Sequence, residues 1–155
     1  MVFEKQKRVR FSHCDPAGIV FYPRYVELFN EVVEDWFADA HGVDFHALHE
    51  ELRLGIPAVR LEVEYLAPSR YGDLLTFRLE VVEIGNASMR LEITVLGPRP
   101  GERGERQASG HADDERLAAR VRGHLKIVLT SLDTFRPVAI DGVWRSRFER
   151  FLRKG

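Results

Sequence analysis

The amino-acid sequence predicts an α+β fold in which an antiparallel sheet curls round one long helix. Three observations carry that expectation. Residues 25–40 set Tyr25, Phe29, Val32, Val33, Trp36, Phe37 and Ala40 at helical spacing, with Glu27, Glu31, Glu34 and Asp35 mainly elsewhere. Three later segments alternate apolar with polar residues at the period of a strand. Two of them are joined only by Gly85-Asn86-Ala87-Ser88, short enough for a hairpin and therefore for antiparallel pairing.

In chain order, residues 5–13 read as a first, half-buried strand, because Val9 and Phe11 alternate with Arg8, Arg10 and Ser12. A turn follows, and Pro23 suits the first turn of the long helix, which His41-Gly42 stops. Residues 43–55 are irregular or weakly helical. The strand segments are VRLEVEYLA (59–67), LLTFRLEVVEI (74–84) and MRLEITVL (89–96). Residues 97–117, rich in Gly, Pro and charge, lack periodicity and read as a long exposed loop. A closing strand spans roughly 118–130, with Val121, Leu125, Ile127 and Leu129 in register, and WRSRFERFL makes a short amphipathic helix. The expectation is a four-stranded sheet after the helix. Alternate positions Leu66, Leu74, Val82, Ile84, Leu96 and Val128 place further apolar groups towards the face the helix does not cover, which predicts a homo-oligomer.

The chain has 155 residues and 45% apolar content, enough for one sizeable core, and 1–155 reads as a single domain. Basic and acidic residues nearly cancel, 23 against 24, so nothing in the overall charge advertises nucleic acid. No stretch of about 18 uncharged apolar residues occurs, which predicts a cytoplasmic protein without a membrane span. A single cysteine cannot close an intramolecular disulfide, and no CxxC or HExxH spacing offers a metal cage, so neither a metal nor a cofactor is expected. His111, Asp113 and Asp114 fall in the polar loop and read as solvated.

The stretch HCDPAGIVFYPRY, residues 13–25, is where chemistry is expected. Asp15 before Pro16 is an ordinary turn opener, its carboxylate accepting backbone N–H groups. Its position between a strand end and an aromatic helix adds a second reading, since free N–H groups at the helix start can stabilise an oxyanion. A carboxylate beside such donors is a minimal hydrolytic site. Cys14 is adjacent, but neighbouring side chains of extended chain point opposite ways, so a packed thiol is expected. His13, two residues from Asp15, is either structural or shares its face and orients substrate or water. The aromatics Tyr25, Phe29, Trp36 and Phe37 read as core, with only the first turns of the helix reaching the site.

RVRFSHCDPAGIVFYPRY (8–25) closely resembles the signature of the 4-hydroxybenzoyl-CoA thioesterase family. EYLAPSRYGDLLTF (64–77) and FRPVAI (135–140) extend the likeness over almost the whole chain except the loop. The resemblance implies a hotdog fold, assembly into dimers or tetramers with sites between subunits, and hydrolysis of an acyl- or aroyl-CoA, the coenzyme A being part of the substrate. Asp15 matches the catalytic aspartate, as nucleophile or as base on water, and Tyr22 matches the residue whose backbone N–H polarises the thioester carbonyl. Asn30 matches a helix position that can carry an acid near the acyl group. The Gly85–Ser88 hairpin lacks the cations expected for CoA phosphates, leaving Arg70, Arg90, Arg120, Arg122 and Lys126 as substitutes. Rival readings are a carrier-protein thioesterase, an enoyl-CoA hydratase-like enzyme, and a non-catalytic acyl-CoA-binding protein.

Overall fold

The computed structural model describes residues 1–99 and 116–155. In chain order it contains β1 (Phe3–Arg8), a 3-10 turn (Phe11–His13), α1 (Arg24–His41) and a π-type turn (Ala47–Glu51). These are followed by β2 (Leu54–Gly55), β3 (Ala58–Tyr65), β4 (Leu74–Ile84), β5 (Ser88–Pro98), β6 (Leu117–Val128), β7 (Thr130–Ser131) and α2 (Gly142–Glu149). Five strands form one antiparallel sheet in the order β1-β4-β5-β6-β3, and β2 pairs with β7. The sheet takes in the four strands expected after the helix and also the first strand, since β1 adds to the free edge of β4. Among the described residues no helix is long and apolar enough to cross a membrane.

Helix α1 is held by its aromatic stripe. Phe29, Val32, Trp36 and Phe37 are wholly buried against the inner face of the sheet, where Leu75, Phe77, Leu79, Leu91, Ile93 and Val121 meet them. Gly42 ends the helix in the left-handed region, at φ +69°, with its N–H donating to the Phe37 carbonyl. Helix α2 closes the far end: Phe148 lies 5.5 Å from Trp36 and 5.9 Å from Phe37, centroid to centroid.

The Phe29 ring of α1 packs directly over the backbone of Gly123. This glycine occupies an inner-face position of β6 between Val121 and Leu125, and a methyl group there would sit 2.6 Å from Phe29 Cε2. The gap in the apolar alternation of β6 is therefore the seat of a helix aromatic. Gly123→Ala is expected to cost about 2–3 kcal/mol through forced overpacking, read as a lower urea midpoint with unchanged m-value.

Several expectations shift. The first strand stops at Arg8, where β4 begins opposite it at Leu74. Val9 keeps its buried place, but Phe11 turns out to solvent in the 3-10 turn. The strands flanking the predicted loop run further than expected, with Gly97 opposite Ala118 and Pro98 opposite Leu117. The remainder of that loop, with His111, Asp113 and Asp114, lies outside the described residues.

The second face of the sheet is also less apolar than the alternation suggested. Arg78, Glu80, Arg90, Glu92, Arg122, His124 and Lys126 occupy it, with Arg153 bridging Glu80 and Glu92 at 2.8 Å each. An exposed apolar row lies instead on β3, an edge strand. Leu61, Val63 and Tyr65 stand opposite Leu125, Gly123 and Val121, so they share the helix face, but α1 covers them only in part, Tyr65 meeting Tyr25 edge-on at 5.9 Å. Val59, Leu61 and Tyr65 are 59%, 41% and 47% exposed.

Candidate active site

Residues 13–21 fold back on themselves as a small closed loop. Cys14 and Val20 form an antiparallel bridge, the Phe21 N–H donates to the His13 carbonyl (2.9 Å), and the Asp15 N–H donates to the Ile19 carbonyl (3.0 Å). At the tip the Gly18 N–H returns to the Asp15 carbonyl (2.9 Å), which requires Gly18 at φ +80°, a conformation glycine adopts without steric cost. Asp15 Oδ1 accepts the Ala17 N–H at 2.8 Å. The turn-forming reading of Asp15 is thus correct for one oxygen, and among the described residues none donates to Oδ2. The carboxylate is half-buried and its orientation is set by the turn.

The chain leaves this loop directly into α1. The Arg24, Tyr25 and Val26 N–H groups are taken by the carbonyls of Phe21, Tyr22 and Pro23. Pro23 has no N–H. The Tyr22 N–H finds no acceptor among the described residues, and it sits where the helix dipole favours negative charge. Tyr22 is exposed, its ring edge-on to Tyr65 at 6.0 Å, and the Tyr65 hydroxyl donates to the Tyr22 carbonyl at 3.0 Å.

The loop is fixed from beneath by residues 68–73. The Val20 N–H donates to the Ser69 carbonyl (2.9 Å), Ile19 bridges Arg70, and the Val9 N–H donates to the Asp73 carbonyl (2.8 Å). That segment is clamped by Arg120, whose guanidinium donates to the carbonyls of Pro68 and Pro98 and stands 3.6 Å from the buried carboxylate of Asp73. Asp73 Oδ2 in turn accepts the Arg70 N–H at 2.9 Å. Arg120, a candidate for surface phosphate contacts by sequence, is only 3% exposed and is a structural cation. The shift in β5–β6 pairing between Val95 and Leu96 carries it out of the solvent row and under the 68–73 segment.

His13, Asp15 and Tyr22 are therefore brought together by one loop, and Arg70 joins them through the Ile19 bridge with its side chain exposed. His13 Nδ1 accepts the Arg10 N–H at 3.0 Å, which leaves Nε2 to carry the proton in the neutral ring. Burial, outweighing the nearby Glu31, holds the imidazole below its ordinary value. The Cys14 thiol points to the Arg10 carbonyl (3.7 Å), and burial, reinforced by the charge of Asp15, pushes its pKa up, as suits an inert thiol. Asn30 is exposed on α1, two turns beyond Tyr22.

Arg90 is not brought to the loop. It lies on the outer sheet face, paired with Glu83 at 2.6 Å, and Arg122 and Lys126 share that face. A cavity of about 460 Å³ opens there, lined by Arg60, Arg90, Lys126 and their acidic neighbours rather than by Asp15. Within one chain the Asp15 loop sits instead at an open rim with exposed Phe11, Phe21, Tyr22, Leu66 and Tyr71 around it. Sequence reasoning missed Tyr65, Ser69 and the true place of Arg120. Among the described residues no group of three His, Cys, Asp or Glu side chains gathers as a metal site.

The sequence profile of the thioesterase-like superfamily matches residues 9–148. A 1,4-dihydroxy-2-naphthoyl-CoA hydrolase of Acaryochloris marina is 25% identical over 97 residues, covering 63% of this chain and 70% of the relative. A 4-hydroxybenzoyl-CoA thioesterase of a Pseudomonas species is 28% identical over 115 residues, covering 74% of this chain and 80% of the relative. The fold is shared with a crystal structure of a 4-hydroxybenzoyl-CoA thioesterase, an aspartate-to-asparagine mutant complexed with 4-hydroxybenzoyl-CoA. That superposition has a TM-score of 0.78 at 21% identity over 95% of this chain and 98% of the other. The sheet wrapped round α1 is accordingly the hotdog arrangement expected from the resemblance.

Proposed function

The chain belongs to the thioesterase-like superfamily and is a thioester hydrolase, and on that premise we infer that it cleaves an acyl- or aroyl-CoA with Asp15 as the reactive carboxylate. The products are the free acid and coenzyme A. One observation carries this reading: an anchored carboxylate with one oxygen that accepts nothing among the described residues, held in the same closed loop that ends at a Tyr22 N–H without an acceptor among them.

A thioester already has a good leaving group, so the protein has two tasks, to bring an oxygen to the carbonyl carbon and to stabilise the charge that develops on the carbonyl oxygen. Asp15 Oδ2 performs the first, by direct attack or by taking a proton from water. The Tyr22 N–H, at the positive end of α1, performs the second. The Ala17 N–H bond to Oδ1 fixes the carboxylate before substrate arrives, which lowers the entropic cost of reaching the reactive geometry.

Hydroxylated aroyl-CoA thioesters are the substrate class this reading favours, because relatives named for 4-hydroxybenzoyl-CoA and 1,4-dihydroxy-2-naphthoyl-CoA recur. Asn30 then faces the acyl group, His13 orients substrate or water, and Arg70 meets the CoA phosphates at the rim. No cofactor is required. A cytoplasmic homo-oligomer completes the reading: a second copy laid along β3 covers Leu61, Tyr65 and the exposed aromatics beside Tyr22, and supplies the walls the open rim lacks. Two such dimers make the tetramer.

The test is thiol release from short-chain, long-chain and aromatic acyl-CoAs, with the acid product quantified. Equimolar thiol and acid from hydroxylated aroyl-CoAs is the expected result. Binding without thiol release across the whole panel would refute hydrolysis in favour of a ligand-binding protein, and hydration of an enoyl-CoA with its thioester intact would point to the hydratase alternative.

A further inference from the structure

We propose that Tyr65 is a positioning residue for thioester hydrolysis, its hydroxyl holding Tyr22 so that the Tyr22 N–H stays aimed at the substrate carbonyl. The inference rests on the reading of Tyr22 as the oxyanion donor. Its starting point is how weakly the helix itself holds that residue. Within α1's first turn the Tyr22 carbonyl accepts only the Tyr25 N–H, at 3.4 Å, whereas the carbonyls on either side, Phe21 and Pro23, accept at 2.9 and 3.1 Å. The Tyr65 hydroxyl takes the same carbonyl at 3.0 Å and is its shorter bond.

Tyr65 also restrains the side chain. The Tyr22 ring lies between Phe21 (5.3 Å, tilted) and Tyr65 (6.0 Å, edge-on), and Tyr65 makes a second edge contact with the buried Tyr25 at 5.9 Å. Because Pro23 follows, the backbone torsions of Tyr22 are restricted, and the Arg24 N–H bond to the Phe21 carbonyl at 2.9 Å holds the residue inside a turn. With its carbonyl pinned and its ring bracketed, the torsion that swings the N–H has little freedom left. An oxyanion donor is effective only when it is aimed before charge develops, so this restraint belongs to the chemistry.

Tyr65 sits on β3, across the sheet from the Asp15 loop in sequence but not in space, and burial pushes its phenol pKa up, which keeps it a donor at neutral pH. It is half exposed, so removing the hydroxyl leaves no buried polar group stranded. Tyr65→Phe keeps both ring contacts and deletes only the hydrogen bond.

The experiment compares steady-state kinetics, thermal unfolding and sedimentation of wild type, Tyr65→Phe and Asp15→Asn with an aroyl-CoA substrate. For Tyr65→Phe a fall in kcat of about five- to tenfold is expected, with KM within about twofold and an unchanged melting temperature and assembly state. An unchanged kcat, or a loss confined to KM, overturns the proposal. So does a kcat loss that comes with a lower melting temperature or an altered assembly state, since that is a structural role. If Asp15→Asn itself retains full activity, the parent reading fails and takes the proposal with it; an inactive Asp15→Asn beside an unaffected Tyr65→Phe sinks the proposal alone.

Discussion

Asp15→Asn is expected to lower kcat for thioester hydrolysis by about three orders of magnitude while the protein stays folded. The asymmetry of the carboxylate is the reason. Oδ1 is engaged with the Ala17 N–H at 2.8 Å, and an asparagine carbonyl oxygen can accept that bond equally well. The Asp15 N–H and carbonyl bonds to Ile19 and Gly18 are backbone contacts that the substitution does not touch. What disappears is the charge and basicity of Oδ2, without which neither attack on carbon nor activation of water proceeds. Thiol release measured beside a thermal melt separates the two consequences. Asp15→Ala serves as the contrast, since it also deletes the Oδ1 acceptor and should lose about 1 kcal/mol of stability in addition. An Asp15→Asn protein within tenfold of wild-type kcat would remove Asp15 from the mechanism.

Acidification is expected to destabilise the protein by roughly 3 kcal/mol between pH 6.5 and pH 4 through His41 alone. His41 ends α1 in an aromatic enclosure, its ring 4.6 Å from Trp36, 5.4 Å from Phe148 and 5.6 Å from Phe151. Neither ring nitrogen has a hydrogen-bond partner among the described residues. Burial, then the charges of Arg150 and Arg147 on the α2 side, lower its pKa from 6.5 to about 4. The sign follows directly: between those values the unfolded chain binds a proton that the folded one refuses, so stability is complete above pH 6.5 and drains away as the pH falls towards 4. His13, also held low by burial, adds a smaller slope of the same sign. His41→Leu fills similar space with nothing to protonate, and it should leave stability at pH 7 within about 1 kcal/mol while flattening the acid slope. Urea unfolding at a series of pH values reads both, and an identical acid slope in wild type and variant would exclude His41 as its source.

The elements legible in the sequence are those whose signal is local. The aromatic stripe of α1 and its Gly42 stop, the strand β4 at 74–84 and the Gly85–Ser88 hairpin each rest on periodicity or turn chemistry within about a dozen residues. The Asp15 loop is legible for the same reason, since all of its internal hydrogen bonds close between residues 13 and 21. Alternation names which residues share a strand face, but it does not say how far the helix on that face extends. That is why β3, apolar on its inner side, reads as covered and is in fact an open edge.

Position in the chain thus decided the candidate carboxylate, the helix that follows it and the strands that flank it, because short-range sterics and burial periodicity leave a direct trace in the order of residues. Only the tertiary structure decided what steadies them. Tyr65 meets Tyr22 across 43 residues, and Arg120 reaches Pro68 across 52. Such contacts exist only once strand register and the shift beside Val95 are set, and register is a property of the packed sheet as a whole. An arginine read from its neighbours as a surface charge became the buried cation under the site, and a tyrosine of an ordinary strand became the partner of the helix entrance.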